Sequence, residues 1–434
     1  MSTGQKAFLS VLAMIVVLAT GASIFLGLNR REAWNASEQS TKTTTEATQQ
    51  KNHDASDTNR RLQEANHLAS QYDFQAAIAK LQGDENPQLK NKRQNYENQQ
   101  KELVQWEDPA AYSHLFVHSL IVDPAIAFRT SQGQGYKDYM VTIPEFEKAI
   151  EQTYQRGYVL VNYADLLHKN EQGQLEFTGV SLPEGKKPLI LSQDDVNYYE
   201  YMENSGFAEK LMIDRKQQIK NRYQSNGGEQ VGDYDMVPII DRFVAQHPDF
   251  SYRGSKGILA VTGYNGVLGY RSSVSSYGDT QKTKQAMAEA KRVADRLKET
   301  GWTFASHSWG HIDFAKSPLS DIQQDTQRFK NEVEPIIGKT NVLIYPFGAD
   351  ISDAANYTAA NAKYSFLKGQ GYDIFANVDA SKPAWGQFTP AYYRNARINV
   401  DGLRFDSDVK GENNVLENFF QVDQVVDRQA RAMP

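Results

Sequence analysis

There is no cysteine among the 434 residues. That excludes disulfides, thiolate metal ligands and cysteine nucleophiles. An exported form of this chain would rely on its core alone. There is no basic excess either. Lys and Arg number 47 against 53 Asp and Glu, a net charge of -6, which argues against a nucleic-acid partner. Histidine is scarce, at eight, and tryptophan scarcer, at five, whereas tyrosine reaches 23. The chain is 40% hydrophobic, enough for a sizeable core, and its length predicts one large domain with additions.

One long apolar run is present. Ala7 to Leu28 holds no ionisable side chain. At helical rise it spans about 33 Å, against about 30 Å for a bilayer core. Lys6 precedes it and Arg30 and Arg31 follow, so local charge does not fix its orientation. We expect residues 1–6 to be cytoplasmic and 7–28 to be a transmembrane signal anchor, with the rest extracellular at the cell membrane. A cleaved leader and a secreted protein are the alternative. Residues 29–58, rich in Ser, Thr, Gln and Lys, read as a flexible linker. Residues 59–106 read as a helical hairpin. Leu62, Ala65, Ala69 and Tyr72 fall at helical spacing, Asp73 is a cap, and Phe74, Ala77, Ile78 and Leu81 continue the pattern. The hairpin is a spacer or a site for a protein partner.

From Tyr112 the texture changes to short apolar runs alternating with amphipathic stretches. Strands are predicted at Leu115–Val117, Tyr158–Val161, Leu189–Ser192, Gly257–Val261, Trp302–Ala305, Asn341–Tyr345 and Asp373–Ala376. Helices are predicted at Ile143–Arg156, Thr280–Thr300, Leu319–Ile337 and Tyr357–Gln370. This alternation predicts an α/β barrel-like domain over residues 112–434, with an insertion at about 197–255. Ligand-handling residues then belong at the carboxyl ends of strands. His118, Asp194, Asp195, His307 and Phe347 all lie at or just past such ends.

Two of the eight histidines stand four apart, in Ser306-His307-Ser308-Trp309-Gly310-His311. Far upstream an apolar run ends in Ser192-Gln193-Asp194-Asp195. Imidazoles with a carboxylate suit one divalent metal ion, zinc first, and three protein ligands leave a position open for water.

With Tyr345-Pro346-Phe347-Gly348 further on, these motifs resemble those of the polysaccharide deacetylases of carbohydrate esterase family four. The resemblance implies a distorted (β/α) barrel that removes acetyl groups from N-acetylated sugars. It implies Asp195, His307 and His311 as metal ligands and Asp194 as general base. The backbone N–H of Phe347 would bind the oxyanion. Many relatives carry their acid histidine late in the domain, and here no histidine follows His311. A circularly rearranged subgroup, the poly-N-acetylglucosamine deacetylases, carries it on the first strand. Leu115-Phe116-Val117-His118 resembles that strand, which implies His118 as general acid, with His114 in reserve and Asp401 or Asp123 as its partner.

The family's arginine for orienting the base is missing from the Pro-aromatic-Gly region. Arg394 and Arg397 are the available substitutes. Trp309, Tyr345, Trp385 and Tyr392, with Arg397, are the candidates for binding the sugar. The expected substrate is an N-acetylglucosamine-containing cell-surface glycan. An O-acetyl esterase and a catalytically weak glycan-binding scaffold are the alternatives.

Overall fold

The computed structural model describes residues 55–432 apart from 84, 85 and 226, together with residues 31, 34, 35 and 38. The apolar run at 7–28 and most of the linker lie outside the described residues. Among those described, no helix is long and apolar enough to cross a membrane.

Seven short runs, mainly of β-branched, aliphatic and aromatic residues, form the strands of the main domain. They are β1 (Ser113–Val117), β2 (Lys187–Gln193), β3 (Gly257–Val261), β4 (Trp302–Ser306), β5 (Val342–Ile344), β6 (Ile374–Val378) and β7 (Tyr392–Asn399). Each pairs in parallel with the next in chain order. β7 then returns to β1, with Ile398 opposite Leu115, and the ring closes. The (β/α) barrel therefore has seven strands. A short strand, Tyr158–Leu160, pairs in parallel with the start of β2, and Gly386–Thr389 pairs antiparallel with β7.

Closure gives every strand an inner and an outer face, and the period of two sorts the residues between them. Ile190, Ile258, Ala260, Ala305, Ile344, Ala376 and Tyr393 pack together as the interior. Leu189, Leu191, Leu259, Val261, Phe304 and Ile398 join the core beneath the surrounding helices.

Three of those helices start where side chains satisfy their first amides. In α1 (Ile143–Gln155), Thr142 and Glu145 form a reciprocal capping box, worth about 1 kcal/mol. The buried Glu145 carboxylate also pairs with Arg431 at 2.7 Å, tying the C-terminal segment to this helix. α2 (Met236–Gln246) is capped by Asp235, and α3 (Gln281–Glu299) by Thr280.

Three sequence expectations are corrected. The helix expected over 319–337 breaks at Val333 into α4 (Leu319–Glu332) and a short turn, Glu334–Ile337, with a proline in its first turn. The helix expected from Tyr357 begins only at α5 (Ala362–Gly369). Asn361 caps it there, and the Tyr357 hydroxyl binds Asp350 instead. The stretch 197–255 is only partly added structure. It holds a three-stranded antiparallel sheet, Lys210–Ile213, Ile219–Ser225 and Gly228–Gly232. α2 follows within it, and Val237, Ile240 and Val244 pack into the main core, so this helix is the barrel's own connection from β2 to β3.

Towards the N-terminus, helices cover residues 55–70, Phe74–Lys80 and Pro87–Lys101, and Asp73 caps the second through the Ala76 amide. The chain divides into two compact units, Met1–Asn66 with Ile78–Arg93, and His67–Ala77 with Gln94–Pro434.

Candidate metal centre and active site

The carboxyl ends of the barrel strands surround a cavity of about 450 Å³. It is lined by Phe116, His118, Tyr139, Met140, Asp194, Asp195, His307, His311, Phe347, Gly348, Val378, Arg397, Asn399 and Asp401. The alternation of the strands explains much of this list. Positions 114, 116 and 118 share the inner face of β1 and its extension, as do 192 and 194 on β2 and 395, 397 and 399 on β7.

One atom each from Asp195, His307 and His311 lies within 4.8 Å of the others. His311 Nε2 is 3.9 Å from Asp195 Oδ2. A single ion with bonds of about 2.0–2.2 Å spans such a set after side-chain adjustments of an ångström or less. The tautomer is right as well. His307 Nδ1 lies 2.8 Å from the Ile344 carbonyl, which only accepts, so Nδ1 carries the hydrogen and Nε2 keeps its lone pair. Two imidazoles and a carboxylate at the mouth of a barrel fit a divalent cation.

The histidines are presented by a tight loop. Ser308 and His311 both have positive φ, 60° and 53°. Asp325, on α4, accepts the Trp309 amide at 2.8 Å and the Gly310 amide at 2.7 Å, and Ser308 Oγ accepts the Ile312 amide at 3.0 Å. Asp195 also has a positive φ, 58°. Aspartate tolerates this region better than most residues.

Asp194 is buried beside the three ligands. Arg397 Nη1 lies 2.6 Å from its Oδ1 and His307 Nε2 is 3.8 Å from its Oδ2. Burial by itself would raise the Asp194 carboxyl. The Arg397 guanidinium, and next the His307 ring, outweigh it and hold the group well below the usual carboxylate range. Arg397 is thus committed to Asp194 and is not free for another contact. It is 1% exposed and lies over the Phe116 ring at 4.1 Å. Arg394 is spent elsewhere, on Asp350 at 2.8 Å.

His118 lines the cavity, and its Nδ1 lies 3.0 Å from the Tyr139 carbonyl. Nδ1 therefore carries a hydrogen, and Nε2 is the atom free to exchange a proton. Asp401 lies on the same wall, whereas Asp123 caps the short helix Pro124–Ala127. His114, the reserve acid, is excluded from the cavity. It is fully buried below the mouth, with Nε2 2.8 Å from Ser192 Oγ and Nδ1 2.9 Å from Asn395 Oδ1. Burial, then Arg397, pushes its pKa down to about 3, so the ring is neutral.

Phe347 projects at the rim, 69% exposed, with φ 59° and its ring 4.5 Å from that of His311.

The four aromatics proposed for sugar binding lie away from this cavity. Tyr345 is fully buried and its hydroxyl meets that of Tyr357 at 2.8 Å. Tyr392 is buried against the same tyrosine, and its hydroxyl accepts the Tyr357 amide. Trp309 donates from Nε1 to Glu332 and lies under Arg328. Trp385 lies beneath Arg394. The aromatics that do line the cavity are Phe116, Tyr139 and Phe347. Tyr139 carried no usable signal, since it sits outside every recognised motif. Arg397 was one of the two arginines the sequence offered in place of the missing one, and β7 places it, in period with Tyr393 and Asn395, against Asp194.

A parallel barrel whose mouth joins two imidazoles, a carboxylate and an arginine-held aspartate is a hydrolase scaffold. Residues 276–367, which include both histidines and the turn at 346–348, match the model of the polysaccharide deacetylase family. That segment is similar to polysaccharide deacetylases, and the chain is an enzyme, a deacetylase. No curated protein matches it in sequence. Among solved structures, it is similar to the Streptococcus pyogenes deacetylase PplD in complex with acetate. That match has 14% identity and a TM-score of 0.38, and covers 72% of this chain and 97% of the other.

Proposed function

We propose that the enzyme is a metal-dependent hydrolase that removes N-acetyl groups from an N-acetylglucosamine-containing cell-surface polysaccharide, either peptidoglycan or poly-N-acetylglucosamine. The observation that carries this reading is the grouping of Asp195, His307 and His311 beside the arginine-held Asp194, with His118 in the same cavity. Asp195, His307 and His311 would hold a divalent cation, which would supply Lewis acidity when bound.

The chain's own residues supply the rest. Asp194, ionised beside Arg397, takes the proton of the attacking water. The Phe347 backbone N–H donates to the developing oxyanion. His118 Nε2 gives a proton to the leaving amine, which departs poorly without one. Phe347 and Tyr139, both more than half exposed at the cavity, offer the sugar apolar faces. The apolar run at 7–28 would hold the enzyme at the membrane, facing the surface glycan.

The test is acetate release from a panel of these polymers by the full chain, with and without a chelator. Release that stops with chelator and returns with zinc is the expected result. Release unaffected by chelation, from protein free of metal, would refute the reading.

A further inference from the structure

Resting on the metal-site reading above, we propose that Tyr199 is a positioning residue that sets the metal-binding oxygen of Asp195, through a hydroxyl relay from Thr262. The Tyr199 hydroxyl lies 2.5 Å from Asp195 Oδ1 and 2.8 Å from Thr262 Oγ1. An ionised carboxylate only accepts, so the single phenol hydrogen goes to Asp195. The Thr262 hydroxyl must then donate to the Tyr199 oxygen. The relay has one direction, from Thr262 just past the end of β3, through Tyr199, to Asp195. It occupies Oδ1 and leaves Oδ2, the oxygen that faces His311 at 3.9 Å, for the cation.

The ring has little freedom to leave this position. Tyr264 stacks on Tyr199 at 4.9 Å with an interplanar angle of 12°, and Tyr201 stacks on it at 5.4 Å and 13°. Tyr199 is 2% exposed. Asn197 fixes the segment between Asp195 and Tyr199. Its Nδ2 donates to the Thr262 carbonyl at 2.8 Å, and its Oδ1 accepts the Thr262 amide at 3.0 Å. Asp195 itself sits in a left-handed conformation, at φ 58°, and its Oδ1 is held by the side chain four residues on. The orientation is imposed from outside, by the relay.

The experiment compares metal-stripped full-length wild type, Tyr199→Phe and Thr262→Val. Zinc affinity is measured by chelator competition, the cobalt-loaded visible spectrum is recorded, and metal-free melting is followed by circular dichroism. Loss of a hydrogen bond to a metal ligand weakens binding roughly 10- to 100-fold, which is the expectation for Tyr199→Phe. A smaller loss is expected for Thr262→Val, with an altered cobalt spectrum in both and metal-free melting unchanged. Wild type that binds one zinc while Tyr199→Phe binds it within twofold, with the wild-type cobalt spectrum, overturns the inference and leaves the metal site standing. Wild type that binds no zinc overturns the metal-site reading itself. If Tyr199→Phe does not fold, Thr262→Val carries the test, and wild-type affinity and spectrum there overturn the relay.

Discussion

Arg397 is the residue on which the proposed base, Asp194, depends. Both members of the Asp194–Arg397 pair are buried, and removing one partner of such a pair typically costs about 3–5 kcal/mol. Arg397→Met should therefore destabilise the protein by an amount of that order, read by denaturant unfolding. It should also lower kcat by about 100-fold, the usual penalty for a misplaced catalytic group. The pH behaviour gives a sharper check. With the guanidinium gone, burial dominates and the Asp194 carboxyl rises. The acid limb of kcat/KM should move to higher pH than in wild type.

The stability linkage has the opposite window. A depressed folded-state value contributes stability that is complete above the unfolded carboxylate pKa of about 3.9. That contribution is lost as pH falls through the folded value. The wild-type advantage over Arg397→Met should thus be largest at neutral pH and shrink as pH falls, first through the raised Asp194 carboxyl of the variant and then towards the depressed one of wild type. At His118 the prediction separates substrates. His118→Ala should slow amide cleavage by about 100- to 10,000-fold and cleavage of a matched acetate ester by far less, since an alcohol leaves more easily. Equal losses on both substrates would remove His118 from the acid role.

At the scale of elements, the turn after β5 is the most exacting. Gly348 has φ 64°, and a Cβ there would lie 2.5 Å from the Val378 side chain and 2.9 Å from the Val378 amide nitrogen. Gly348→Ala must displace the turn that aims Phe347, at a strain of about 1–3 kcal/mol. The expected outcome is a kcat lowered by about 100-fold with zinc affinity unchanged, because none of the three metal ligands is on this turn. A parallel loss of zinc, measured by chelator competition, would show that the turn and the ligand set form one unit.

The elements also show what the sequence could and could not reveal. β1 to β6 were readable because each is a short apolar run, and the histidines and the aspartate pair were readable because their side chains are chemically conspicuous. β7 was not. Its inner face carries Tyr393, Asn395, Arg397 and Asn399, so the strand has no apolar period. The polar groups are tolerated because His114, Ser192 and Asp194 satisfy them across the barrel. The sugar-binding aromatics failed for the converse reason. Tyr345 adjoins the Pro346-Phe347-Gly348 turn and Tyr392 opens β7, but strand alternation turns both away from the mouth into the outer packing around Tyr357 and Phe375.

At the scale of the molecule, ring closure in chain order is what brings the ends of β2 and β4 to one mouth, one strand apart. Their ligands are far apart in the unfolded chain, so no preformed site exists there, and binding free energy becomes folding free energy. For a ligand that binds only the folded state, free cation at 1,000 times its dissociation constant adds about 4 kcal/mol. Zinc should therefore raise the melting temperature of the stripped protein by several degrees, and chelator should reverse the rise. Asp195→Asn should abolish most of the shift while leaving the metal-free melting temperature close to that of wild type, since Asn keeps the volume and the turn geometry. If zinc stabilised Asp195→Asn as strongly as wild type, the ion would be bound elsewhere, and the three side chains at the barrel mouth would not be its ligands.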